Sequence, residues 1–202
     1  MKRAMILSTL FFLSNFIFAQ EENKELKLSL QTDLLAYTTS GGWSIWGVVQ
    51  HDRNRIALSF VNYPNRYRNT YDEIGIKEID RFARLQLTRF FKPTSKLRHF
   101  FYGINTEYHW RELQEDNNPN EILNDTHWKV GAVTGYEWHP WNKKDNTLIN
   151  LSVIPWFGLN YFPTHNVPIR VFENTGNAYG LNSTTIIDIP FGINISYTFI
   201  KK

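Results

Sequence analysis

Apolar and polar residues alternate along most of this chain. Its final stretch, FGINISYTFIKK, sets Phe191, Ile193, Ile195, Tyr197 and Phe199 against Gly192, Asn194, Ser196 and Thr198. Successive side chains of a strand point to opposite faces, so a period of two predicts a strand with one apolar and one polar face. Seven earlier segments of roughly ten residues repeat the pattern: LKLSLQTDLLAY, GGWSIWGVVQ, RIALSFVNY, RFARLQLTRFF, FFYGINTEYHWR, HWKVGAVTGYEW and LINLSVIPWFGLNY. No long stretch carries a helical period. Pro155 and Pro190 fall inside predicted strands, where each removes a ladder hydrogen bond and predicts a bulge or a shifted boundary.

The connections alternate in length. HDRN, KPTSKL and PWNKKDN are short, whereas PNRYRNTYDEIGIKE, ELQEDNNPNEILNDT and FPTHNVPIRVFENTGNAYGLNS are longer and more polar; only the first loop, around TTSGG, is brief. Both chain ends fall on the short-turn side. Aromatic residues gather at the strand ends. Phe90, Phe91, Phe100, Tyr102, Tyr136, Trp138, Trp141, Tyr197 and Phe199 lie toward the short turns, and Tyr37, Trp43, Tyr108, Trp110, Trp128, Tyr161 and Phe162 toward the long loops. Two aromatic belts separated by Leu, Ile, Val and Ala suit side chains that meet lipid and its two interfaces. The reading is all-β, an eight-stranded antiparallel up-and-down transmembrane β-barrel spanning residues 20–202. Trp46 and Val48 break the rule, facing inward if Trp43, Ile45 and Val49 face lipid.

Lys2 and Arg3 precede the apolar run AMILSTLFFLSNFIFA, which reads as a signal peptide over residues 1–19, cut between Ala19 and Gln20. Its removal takes the formal charge from +3 to 3 − 2 = +1, which gives no reason to invoke nucleic acid. The chain has no cysteine, hence neither disulfides nor a lipoprotein anchor. After the signal, no run approaches the roughly 20 apolar residues of a spanning helix.

In this pattern the chain resembles the small eight-stranded outer-membrane barrels of Gram-negative bacteria, from Leu26 to Phe199. The resemblance implies a bacterial outer-membrane location, a monomer surrounded by outer-membrane lipid, and recognition of the final strand by the barrel-assembly machinery. The aromatic residue that would be read is Phe199, although Ile200, Lys201 and Lys202 follow it.

So narrow a barrel is filled by its own side chains. The inward set includes Arg84, Asn105, Glu107, His109, His127, Lys129 and Glu137. If the fifth and sixth segments form a hairpin, Glu107 falls opposite Lys129 and His109 opposite His127, which predicts a Glu107–Lys129 ion pair in a structural polar network. His109 and His127, with Glu112, Glu115, Asp116, Glu121 and Asp125 in the next loop, are candidate metal ligands without a fixed spacing; no cofactor is expected. A lipid-modifying enzyme is the sharper alternative, but Ser152 faces the lumen and no triad assembles around it. A soluble lipocalin-like barrel would need an apolar inward face. Tyr67, Arg68, Tyr71, Arg170, Phe172 and Tyr179 in the long loops are of the residue types enriched in binding hot spots. Asn124 and Asn182 begin glycosylation-type triplets. The expected role is structural or recognitive, with no catalysis.

Overall fold

The alternating segments pair in chain order, each antiparallel to the one before. The computed structural model describes residues 26–64, 76–115, 118–141, 150–162, 170–171, 178–179 and 187–201. The expected signal segment lies outside them, as do Tyr67, Arg68, Tyr71, Asp116, Phe172 and Asn182. The elements are β1 (Leu26–Asp33), α1 (Leu34–Ser40), β2 (Trp43–His51), β3 (Asn54–Tyr63), β4 (Ile76–Phe90), β5 (Phe100–Glu115), β6 (Asn118–Tyr136), β7 (Leu151–Tyr161), β8 (Arg170–Val171), β9 (Ala178–Tyr179), β10 (Ile187–Asp188) and β11 (Phe191–Lys201). Strands β1 to β7 pair in order, β7 pairs with β11, and β11 returns to β1, so eight strands close a ring. Closure removes the unpaired edges that an open sheet would expose. Strands β8 and β9 form a separate two-stranded ribbon.

The polarity of this ring is the reverse of a soluble core. Outward positions hold Leu58, Ile104, Phe157 and Phe191, exposed by 61%, 58%, 58% and 67%. Inward positions hold Asn160, Asn194, Glu107 and His109, all buried. Two belt residues turn the other way: Phe90 is buried in the lumen, and Phe162 stacks on His127 with ring centroids 5.7 Å apart.

Three local readings change. First, the opening segment does not run to Tyr37. Asp33 accepts a hydrogen bond from the Leu35 backbone N–H and caps α1, which Gly41 ends in the left-handed conformation at φ 61°. A seven-residue helix is too short to show a period, so the alternation hid it.

Second, the connection ELQEDNNPNEILNDT is not a loop. Strands β5 and β6 run on through it, with Leu113 opposite Leu123. Paired charges sustain this extension: Arg111 with Glu78 and Asp125, and Arg81 with Glu112.

Third, the prolines interrupt the ladder without shifting it. Trp138 and Val153 exchange both backbone bonds at 2.8 Å, and the same register holds from Gly135–Trp156 onward. Pro155 falls where Tyr136 would next accept a hydrogen bond, and proline has none to donate. Pro190 lies in the gap between β10 and β11, its carbonyl accepting from Gly158 N–H at 2.7 Å, with the register to β7 unchanged on either side. A one-residue slip does occur between β1 and β11. Leu28 pairs with Ile200 and Ser29 with Thr198, which leaves Phe199 without a partner on β1.

Candidate functional site: the lumen and its two mouths

The inward residues of β4, β5 and β6 converge because the register places Arg84 beside Glu107, Glu107 beside Lys129, and His109 beside His127. Glu107 is the hub. Its Oε1 accepts from Arg84 Nε (2.8 Å) and Nη2 (2.7 Å), Asn160 Nδ2 (2.9 Å) and Asn105 Nδ2 (3.2 Å), while Oε2 meets His109 Nε2 at 2.8 Å. The other His109 nitrogen, Nδ1, meets Asp80 Oδ1 at 3.0 Å. Each ring nitrogen of His109 thus faces a carboxylate.

His127 stacks on His109 at 4.6 Å between centroids, and Phe82 stacks on the opposite face at 4.4 Å. Above them Arg111 joins Glu78 and Asp125. The Glu107–Lys129 pairing expected from register is corrected. The two residues are neighbours, but Lys129 Nζ bonds Asp188 Oδ2 at 2.9 Å, reaching over Phe162 to the segment that precedes β11. Glu107 is taken up by Arg84 instead, whose forked donors fit a carboxylate better than an ammonium does.

Toward the short turns the lumen changes character. Trp46, Val48, Ala57, Phe90, Phe101, Val133, Ile154 and Trp156 form one buried apolar cluster. Trp46 and Val48, which looked like lapses in the alternation, belong to this plug. Glycine makes room for it: a Cβ on Gly135 would sit 2.5 Å from the Phe101 ring. Arg84 joins the two regions, its guanidinium carbon 4.5 Å from the Trp156 ring and 5.4 Å from Trp46. A thin polar thread crosses the plug: Trp156 Nε1 to Asn194 Oδ1 (3.1 Å), Asn194 Nδ2 to Gln31 Oε1 (3.2 Å), and Arg55 Nη2 to the same Gln31 oxygen (3.0 Å).

Of the inward residues anticipated from sequence, Arg84, Asn105, Glu107, His109, His127 and Lys129 meet in this network. Glu137 does not. It lies past the end of β6 at the short-turn mouth, accepting from Ser152 Oγ at 3.1 Å, with His139 Nε2 3.7 Å away. The acid thus stands between the serine and the histidine, so Ser152 has no imidazole base. Both His109 nitrogens are engaged by carboxylates, and the described residues contain no group of three His, Asp or Glu able to hold a metal. Arg170 and Tyr179, two of the loop candidates, pair across the β8–β9 ribbon.

Sequence reading missed Glu78, Asp80, Asp188 and Arg55 as members of the interior, whereas Gln31 and Arg111 already fall on the polar faces of their segments. Glu78 and Asp80 stand at even steps from Arg84, and the same alternation carried further would have found them. Asp188 gave no such signal.

The two mouths differ in charge. The short-turn end carries Lys27, Arg53, Arg55, Arg89, Lys92, Lys96, Arg98 and Lys201, with Asp52 and Glu137 the carboxylates among the described residues. The loop end carries Asp33, Glu78, Asp80, Glu112, Glu121, Asp125 and Asp188 against Lys77, Arg81, Arg111 and Lys129.

No protein-family model and no curated protein matches the chain. Among solved structures it is similar to Neisserial surface protein A, with 11% identity over 87% of this chain and 94% of that one, at a TM-score of 0.45. It is also similar to a major outer membrane protein from Thermus thermophilus, with 12% identity over 88% of this chain and 100% of that one, at a TM-score of 0.44. At these values the likeness concerns the fold alone.

Proposed function

We propose that the protein is a bacterial outer-membrane barrel of structural or recognition role, a lipid-embedded and internally sealed scaffold that presents loops at its acidic end. The observation that carries this reading is the reversed polarity of the ring. Leu, Ile, Phe, Tyr and Trp cover the outside, while Glu78, Asp80, Arg84, Asn105, Glu107, Arg111, Asn160 and Asn194 are buried inside. In water such an exterior would be an aggregation surface; in a bilayer it is the solvated face.

Closure of eight strands into a ring suits a monomer. The apolar plug and the ion network leave the interior filled, which fits an anchor better than a solute channel. Recognition falls to the long loops that hold Tyr67, Arg68, Tyr71 and Phe172, and to the ribbon that carries Arg170 and Tyr179. Phe199, exposed and without a partner on β1, is the aromatic residue offered to the barrel-assembly machinery.

The test is fractionation followed by an SDS gel of boiled and unboiled samples. A faster unboiled band in the outer-membrane fraction is expected, and Phe199→Ala should reduce its share. Protein found wholly in the soluble fraction contradicts the membrane reading.

A further inference from the structure

The short-turn mouth holds a cavity of about 220 Å³, bounded on one side by Phe90 of the plug. Lys27 reaches it from the start of β1, Arg53 from the β2–β3 turn, Arg98 and His99 from the β4–β5 turn, and His139 from the segment after β6; Phe90 and Phe91 form an apolar wall. Four separate pieces of chain therefore bring cations or imidazoles to one hollow.

The carboxylates there are already engaged. Asp52 Oδ2 lies 3.8 Å from Arg53 Nε, and Glu137 accepts from Ser152. Arg98 donates through Nε to His99 Nε2 at 3.2 Å, so that imidazole is an acceptor and carries its proton on the other nitrogen. Lys27, Arg53 and Arg98 outnumber Asp52 and Glu137, so the lining carries a net positive charge. Burial first, then Arg98, His139 and Lys27, lower the His99 pKa, with Glu137 opposing them.

Phe91, which lines the cavity, is exposed and packs at 5.2 Å between ring centroids against Tyr102, an exposed aromatic residue of the short-turn belt. On the membrane reading above, on which this inference rests, that belt marks the interface where lipid phosphoryl groups lie. The excess of Lys and Arg at this end draws anions toward it, and guanidinium groups suit phosphate oxygens.

We propose that this cavity is a phosphoryl-anion site, filled by the phosphate of an anionic phospholipid in the leaflet that borders the short turns. Lys27, Arg53 and Arg98 supply the charge, His99 and His139 supply N–H donors, and the exposed Phe91 meets the glycerol and the start of the acyl chains.

The test uses the full mature chain in detergent, with its heat-modifiable band as the check on folding. Native mass spectrometry would compare adducts of phosphatidylglycerol with those of diacylglycerol, which lacks the phosphoryl group, and would add inorganic phosphate as competitor. The expected result is a preference for phosphatidylglycerol of about tenfold, most of it lost in the Arg53→Gln/Arg98→Gln double variant and kept in Lys96→Gln. NMR titration should show the His99 midpoint rising when phosphatidylglycerol is added. If inorganic phosphate displaces the lipid at millimolar levels and raises the His99 midpoint by itself, the phosphoryl chemistry stands and the source is free phosphate. Equal adducts for both lipids, an unaffected double variant, or a His99 midpoint that neither anion moves overturns the site. Failure of the membrane reading shows separately, as loss of the heat-modifiable band.

Discussion

The two halves of the lumen fill the same narrow space by different means. Toward the loops, carboxylates, guanidiniums and imidazoles satisfy one another around Glu107. Toward the short turns, Trp46, Phe101, Ile154 and Trp156 exclude water as a soluble core would. A buried ion network is tolerable only when nearly every member is matched, because an unmatched buried charge costs more than the pair returns. An apolar plug has no such condition and fails gradually, in proportion to the volume removed. The loop-side half should therefore be brittle and the turn-side half forgiving.

The largest effect should come from the hub. Glu107→Ala strips Arg84 of its counter-charge and is expected to destabilise the barrel by about 3–5 kcal/mol, read by urea unfolding in lipid vesicles. Replacing both residues by methionine should recover at least half of that loss, since no uncompensated charge then remains on either. A double variant no better than the single one would show that the network gives more than charge matching.

In the plug, Trp156→Ala should cost about 3 kcal/mol. Combined with Trp46→Ala, it should open a passage measurable as steady conductance in planar bilayers, where the parent protein shows none. Conductance from the parent protein would contradict a sealed lumen.

A smaller effect is expected at Lys129→Met, about 1–2 kcal/mol, because its partner Asp188 is partly exposed and water can take over. The exchange of Glu107→Lys with Lys129→Glu should fail to restore stability, since these neighbours do not bond each other. On the outer wall, Arg81→Ala breaks a half-exposed pair with Glu112 and should cost less than about 1 kcal/mol.

The barrel was legible because the lipid-facing rule is a period of two, and a period needs only one chain to be seen. Register followed from it: Glu107 opposite Lys129 came from keeping both apolar faces outward. Partnership did not follow. Whether Glu107 bonds Lys129 or Arg84 depends on side-chain reach and on Asp188, which lies far along the chain and carries no periodic signal. The plug was half visible, as Trp46 and Val48 out of phase; its other members, such as Phe101 and Ile154, are apolar residues that the alternation did not single out. The β5–β6 extension read as a loop because its polar residues suggested solvent, whereas Arg111, Glu78 and Asp125 use that polarity to pair. Helix α1 was hidden by its shortness.

One face of each strand meets lipid while the other meets this two-part interior. Single-tryptophan variants that keep either Trp128 or Trp156, reconstituted in vesicles of brominated lipid, test it most directly. Trp128 is exposed on the outer wall and Trp156 is buried in the plug. Strong quenching of Trp128 with little change at Trp156 is the result expected. Equal quenching of both, or quenching of Trp156 alone, would mean that the faces have been assigned to the wrong solvents.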